Sequence, residues 1–338
     1  MAEVPGLLEA VDRYGVRYGN ESAYRRADGS KVAPLLIADS EGKFGSYGMH
    51  RADVLHIFAQ LLPAEQIRTA SRCVAVTSCV DAAQILTEDG RKHYFDVVIG
   101  ADGIHSVARQ FVAGPDVVQH SGVIAYRGLV PMELLPNWSD NTSDLWMGEG
   151  KHFLTYPVRS GQLMNYVGFV PSGMDLPESW SAPGDVDQLR QAFQGWDPRI
   201  SHLLSQIDST FWWSLNDREP IDTWVRGRVV LMGDAAHPML PHLGQGANQA
   251  IEDAFALRDC FIRRDEFSTI SELFEEYQRL RMPRATRIQQ EARTTGNRFD
   301  TRGEFADPQQ RDSDITNLLA FRRWIFDNHN ETEHISTV

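Results

Sequence analysis

The sequence predicts an α/β fold: a nucleotide-type domain interrupted by a smaller antiparallel sheet domain and closed by helices. Three observations carry this reading. Two short apolar runs, "VVIGADG" at 97–103 and "GRVVLMGD" at 227–234, each read as a strand buried on both faces that ends in glycine and aspartate. Between them, "HFLTYPVRSGQLMNYVGFV" at 152–170 alternates with period two around Ser160 and Gly161, the pattern of a hairpin. Beyond Asp234 the apolar spacing turns helical and stays so. Strand–helix units at both ends and strands alone in the middle give the interrupted architecture.

The elements follow in order. Residues 1–48 are turn-rich, with glycines at 15, 19, 29, 42, 45 and 48. A helix is expected from His50 to Leu62, with Val54, Leu55, Phe58, Leu61 and Leu62 on one face and Pro63 as its stop. "RCVAVTSCV" and "AAQILTEDG" read as two short strands about a turn at Asp81. From about Val112 the character is antiparallel, and period two places His152, Leu154 and Tyr156 on one face. Residues 174–196 read as loop plus a short helix. A helix from about Gln245 to Ile262 carries Ala250, Ala254, Leu257 and Phe261 at helical spacing. Another runs from about Ile270 to Gln290, broken or kinked at Pro283, and the polar tail from Phe326 is expected to be loose. Trp146, Trp180, Trp196, Trp212 and Trp213 read mostly as core.

Composition bounds the function. The chain has 338 residues, 42% hydrophobic and 23% charged, which is a globular balance with room for a sizeable core. Its 33 basic against 46 acidic residues leave a net charge of −13, which argues against nucleic acid as a partner. Three cysteines, Cys73, Cys79 and Cys260, make no disulfide framework and suit a reducing, cytoplasmic compartment. No apolar run approaches the roughly 20 residues of a membrane span, and "MAEVPGLLEAVDRYG" lacks the pattern of a signal peptide.

The chemistry concentrates in two stretches. In "GDAAHPMLPHLGQGANQAIEDA" (233–254) a buried strand delivers Asp234 to its carboxyl end, where ligands of α/β sheets bind. The Gly-Gln-Gly-Ala turn admits close backbone approach, and the following helix points its N–H groups at an electron-rich ligand. The competing reading makes Asp234 a plain helix cap, and on this stretch alone both stand. "GADGIHSVAR" (100–109) repeats the design with Asp102, Gly103, Ser106 and Arg109. Two strand-end aspartates suit a ligand with phosphates and a sugar. His237 and His242 lack the carboxylate–histidine motif of a metal site, and Ser106 lacks the second glycine of a nucleophile elbow. His237 and His105 read as structural.

These two stretches, with "MHRADVLHIF", "AYRGLVP" and "WSLNDREPIDTW", resemble the single-component FAD-dependent aromatic hydroxylases, the family of salicylate hydroxylase, 3-hydroxybenzoate 6-hydroxylase and 6-hydroxynicotinate 3-monooxygenase, over roughly residues 45–300. The resemblance implies a Rossmann-like FAD-binding domain (1–112 and 214–300), an inserted antiparallel substrate domain (113–213), and a C-terminal helix and tail (301–338). It implies that Asp234 binds the ribityl chain of FAD, and that Gly246, Ala247 and Asn248 face the pyrimidine edge, where the helix start stabilises the charge of the reduced flavin. Asp102 would lie near the pyrophosphate, Arg51 and Arg109 on the cofactor side, and Val74 behind the adenine. His152 is the expected general base, with Tyr156 near the substrate and His242 lining the pocket. NAD(P)H would bind transiently as reductant, O2 would give a flavin C4a-hydroperoxide, and the product would be a hydroxylated small aromatic acid or phenol. A homodimer is compatible with the sequence.

The family opens with a Gly-x-Gly-x-x-Gly unit for the ADP half of FAD, and no such run occurs here. The expectation is an in-frame unit upstream. The alternatives are a truncated, inactive fragment or non-enzymatic interaction module of the same family, and a flavin epoxidase.

Overall fold

A computed structural model describes residues 4–42, 45–172 and 182–327. The chain forms two compact units from interleaved stretches of sequence. One takes the described residues of Met1–Ile67, Gly122–Leu215 and Asn297–Thr337, and the other those of Arg68–Ser121 and Asn216–Gly296.

The first unit is built on an eight-stranded sheet. Its order runs Ala182–Gly184, Thr210–Asp217, Gln119–Pro131, Leu163–Pro171, Lys151–Val158, Asp144–Gly148, Ala23–Arg26, Lys31–Pro34. The expected hairpin is its centre: Val158 pairs with Leu163 and His152 with Phe169. Arg159, Ser160 and Gly161 all take positive φ to close the turn. One face of the sheet carries Tyr126, Val130, Phe153, Met164 and Tyr166. They pack on Leu189 and Phe193 and on Ile200, Leu203 and Leu204, buried with helices Val186–Ala192 and Pro198–Ser205. Asp185 and Asp197 cap those helices through backbone N–H groups, each worth roughly 1 kcal/mol.

Residues 4–67 group with this sheet and not with 68–112, which differs from the expected boundaries. The reason is a ladder that composition does not reveal: Ala23–Arg26 pairs parallel with Asp144–Gly148. The turn-rich opening also holds an unexpected helix, Leu7–Tyr14, whose Leu7 and Val11 pack against Ile57. The helix after it spans Arg51–Gln60, and its buried residue is Ile57. Leu55, Leu61 and Leu62, expected on an inward face, are exposed.

The second unit holds a parallel pair, Val98–Gly100 beside Val229–Leu231, with Val225–Arg226 antiparallel on the outer side. Val229, Val230 and Leu231 are fully buried, as the continuous apolar run predicts, at roughly 1.5–3 kcal/mol each. Ile99 departs from that pattern and is exposed. The strands Cys73–Ser78 and Ala83–Thr87 form the expected hairpin, and Lys92–Phe95 adds a third strand. Helix Val107–Ala113 lies close on the parallel pair: a Cβ at Gly100 would overlap the Ala108 methyl.

Two helices correct the sequence reading. Gly246–Ile262 buries Gln249, Asp253, Ala256, Leu257 and Cys260, so its inward face includes a carboxylate, while Ala254 is exposed. Ile270–Phe299 runs unbroken through Pro283 to a point nine residues past the expected end. The missing proline hydrogen bond costs about 3 kcal/mol, which burial of Leu273, Phe274, Tyr277, Ala285 and Ile288 offsets. The expected loop at 174–196 falls partly outside the described residues, as do Trp180 and the tail beyond Asp327. Its described part holds the helix Val186–Ala192.

Gly100→Ala should destabilise the protein by about 1–3 kcal/mol, because helix and strand cannot separate without unpacking Leu231. Urea unfolding measures it; an unchanged midpoint would contradict the close packing.

Candidate active site

The strand ends Gly100 and Leu231 are register partners in the parallel pair, so Asp102 and Asp234 leave the sheet at the same edge. The two turns then diverge. Asp102 is exposed, and both its oxygens serve its own helix: Oδ1 accepts from the Ser106 hydroxyl. Oδ2 accepts from the backbone N–H of Val107 at 2.7 Å and of Ala108 at 3.2 Å. Ser106 Oγ accepts from Arg109 N–H at 2.8 Å. Asp102 thus caps its own helix, where the resemblance places it near the pyrophosphate.

Arg109 is a correction too. Its guanidinium is 1% exposed and faces protein groups: Nε donates to Asp116 at 2.8 Å, NH1 to the carbonyls of Ala235 and Ala236 at 3.2 and 2.8 Å, and NH2 to that of Glu219 at 2.9 Å. Burial depresses its basicity, and the Asp116 carboxylate opposes that. It fixes the turn after Asp234 and is not a cofactor-side cation.

The second turn is built differently. Gly233 has φ of 56°, a conformation a side chain would strain. Asp234 is exposed, and its Oδ1 lies 3.8 Å from where a Cβ on Gly246 would stand. Helix Gly246–Ile262 starts there with no side-chain cap, and Ala247 and Asn248 in its first turn are exposed. His242 sits in the short 3-10 turn Pro241–Leu243, its ring against the long helix where a Cβ on Gly296 would come within 2.6 Å of Nε2. Val74 is exposed on the strand Cys73–Ser78.

Arg51, His152 and Tyr156 belong to the other unit. Register puts Leu154, Tyr156, Asn165, Val167, Arg127 and Leu129 on one face of the sheet, opposite the face covered by helices. Arg127 stacks over Trp213 with its guanidinium 4.5 Å from the ring centroid. Burial lowers its basicity; the Tyr156 hydroxyl opposes and the Arg51 charge adds to that shift. The Tyr156 phenol is pushed above the usual tyrosine range by burial, with Arg127 pulling the other way. His152 is 1% exposed, with Nδ1 2.7 Å from Asp300, its ring stacked on Phe169 at 4.0 Å and tilted against Phe299.

Against this geometry stand the comparisons. The family model described as "FAD binding domain" matches residues 61–292. A 3-amino-4-hydroxybenzoate 2-monooxygenase of Streptomyces cremeus is 35% identical over 298 residues, 87% of this chain and 74% of the relative. The chain belongs to the FAD-dependent aromatic hydroxylase family. A salicylate hydroxylase of Pseudomonas putida is 34% identical over 85% of the chain and 68% of that protein. A solved salicylate hydroxylase substrate complex superposes with TM-score 0.81, 28% identity and coverage of 95% of this chain and 86% of the other. A single-residue variant of Klebsiella pneumoniae HpxO, complexed with FAD, gives 0.80 and 25%, with 94% and 84% covered.

The family's cofactor fits the second turn better than the first. Gln245 gives helix Gly246–Ile262 no side-chain cap, and the exposed Asp234 carboxylate lies beside the helix start, a pairing that suits the polar edge of a flavin and the hydroxyls of its chain. Helix Val107–Ala113 has its start taken by Asp102 and Ser106. Sequence reading missed Asp253 and Arg127. Asp253 shares a helical face with Ala256, Leu257 and Cys260, and a carboxylate on that stripe was the available signal. Arg127 lies in a motif quoted for the resemblance, but its face depends on cross-strand register, which the sequence does not print.

Gly296→Ala should push the His242 ring from its place and cost about 1–3 kcal/mol. A thermal melt together with a histidine NMR shift reads both effects; a variant with the parent's melt and His242 signal would refute the contact.

Proposed function

We propose that this chain is an NAD(P)H-using, FAD-dependent monooxygenase that hydroxylates a small aromatic acid or phenol. The observation that carries the reading is the exposed Asp234 beside the uncapped start of a 17-residue helix, at the carboxyl end of a buried strand. Asp234 would hold the ribityl hydroxyls and the backbone of Gly246, Ala247 and Asn248 the flavin's polar edge. Val74 would back the adenine, and Arg51 keeps its proposed role toward the cofactor. The flavin supplies the oxygen chemistry when bound, with electrons from NAD(P)H.

The aromatic compound is proposed to lie on the sheet face of Tyr156, Arg127 and Asn165. Relatives named for a hydroxybenzoate, a salicylate and a hydroxynicotinate all carry a ring carboxylate in their names. Arg127 offers the matching cation, held flat against Trp213. Tyr156 keeps its proton because its phenol is raised, so it donates to the substrate oxygen and does not act as base. His152, expected to be the general base, is read instead as a latch: its Nδ1 meets a buried carboxylate and two aromatic rings enclose it. His242 keeps its proposed place lining the pocket beside the flavin. A reducing cytoplasm is the proposed location, in keeping with Cys73, Cys79 and Cys260, all of them free.

The deciding experiment incubates the purified chain with FAD and measures NAD(P)H oxidation and product with hydroxybenzoates and hydroxynicotinates. Flavin retention with no aromatic stimulating oxidation would end the substrate reading.

Two variant pairs sharpen it. Asp234→Ala should lose most retained flavin, while Asp102→Ala should cost about 1 kcal/mol of stability and retain flavin; the reverse pattern would exchange the roles of the two turns. Arg127→Gln should lower kcat/KM for carboxylate substrates by roughly 10–100-fold and for neutral phenols by little. Equal losses for both classes would remove Arg127 as the carboxylate partner.

A further inference from the structure

We propose that Asp253 is the positioning residue for Asp234: it takes up the donors of the Gly233–Pro238 turn, so that the Asp234 carboxylate stays at the surface for its ligand. The inference rests on the reading of Asp234 as a flavin contact and deepens it.

A strand–turn–helix junction leaves backbone N–H groups that need an acceptor. In the first motif the strand-end carboxylate does that work itself, and Asp102 is spent on Ser106, Val107 and Ala108. In the second motif a different carboxylate does it. Asp253, 0% exposed, reaches back from the helix: its Oδ2 accepts from Gly233 N–H at 2.9 Å and lies 2.6 Å from His237 Nε2. Its Oδ1 accepts from Arg281 Nε at 2.8 Å. Arg281 is itself fixed by Glu252 and Gln249, each at 2.7 Å.

The other anchors fall on the same turn. Arg109 donates to the carbonyls of Ala235 and Ala236, and Gln289 Nε2 donates to that of Pro238 at 2.8 Å. Positions 233, 235, 236, 237 and 238 are therefore tied inward, and Asp234, in their midst, is the exposed one. The geometry sets the direction in which Asp234 points.

An amide cannot replace Asp253. It has one acceptor oxygen, and its NH2 group would face either Arg281 or the Gly233 and His237 donors.

The test is a double-mutant cycle on FAD affinity with hydrogen exchange as a second readout. Asp253→Asn should raise the FAD dissociation constant about tenfold or more and speed exchange in the peptide covering 233–238. In the Asp234→Ala background the same change should weaken binding less than about twofold, because the two residues act as one unit. Additive losses, or a parent-like affinity and exchange rate in Asp253→Asn, would overturn the proposal. Should Asp253→Asn fail to fold, His237→Gln keeps an N–H donor and should stay near the parent, while His237→Phe should match the tenfold loss. Equal affinities for the two His237 variants would also overturn it. A parent that retains no flavin would end the flavin reading of Asp234, and the exchange arm would still decide whether Asp253 holds the turn.

Discussion

Asp253 carries a charge into the interior of its unit, where an uncompensated carboxylate would cost several kcal/mol. Burial pushes its carboxyl up, but the His237 hydrogen bond, the charges of His237 and Arg281 and the Gly233 N–H overcome that and hold it below the usual aspartate range. The result is a junction of three elements at one side chain: the end of strand Val229–Leu231, the helix Gly246–Ile262 that carries Asp253, and the long helix that carries Arg281. Tyr277 adds a bond to the Leu231 carbonyl, and Trp224 packs against both Tyr277 and His237. An apolar residue at 253 could fill the volume. It could not fix the direction of Gly233 N–H and His237 together, and that direction shapes the turn.

Two turns with near-identical sequence logic thus reach opposite ends. Both place Gly-x-Asp or Gly-Asp after a buried strand and before a helix. At Asp102 the helix has seven residues and its N-terminus is closed by local side chains. At Asp234 the helix has 17 residues, starts on glycine, and its start lacks a side-chain cap. The difference lies in the supply of acceptors. Where a distant carboxylate satisfies the turn, the near one can stay at the surface beside the helix start. Arg109 couples the two turns, since it rises from the first helix and binds the carbonyls of the second turn.

The sequence showed these turns and the hairpin, because each is written in local residue order. What it concealed depends on long-range pairing. Residues 4–67 join the sheet through Ala23–Arg26, a parallel ladder to a strand more than a hundred residues away. The helix Arg51–Gln60 shows Leu55 outward and Ile57 inward, since a short helix packed on one neighbour buries only a narrow stripe. The inward face of Gly246–Ile262 escaped an apolar-spacing argument because Gln249 and Asp253 occupy two of its positions, and their partners come from Glu252 and Arg281. The same limit applied to the site. The neighbours of His152, Phe169, Phe299 and Asp300, come from distant parts of the chain, so its surroundings are not written in the strand that carries it.

Electrostatics then separates the roles on the sheet face. A phenol raised by burial stays neutral through the physiological range, so at Tyr156 the stable form is the one with a proton to give. Burial lowers the basicity of Arg127, the Tyr156 hydroxyl opposes that, and the Arg51 charge adds to it. An anion placed between Tyr156 and Arg127 would accept a hydrogen bond from the phenol and offset the Arg127 charge. If the ligand lies on this face as proposed, its charge would count for more than its size: a charge-assisted hydrogen bond contributes roughly 1.5–3 kcal/mol, against about 0.8 for one more buried methylene.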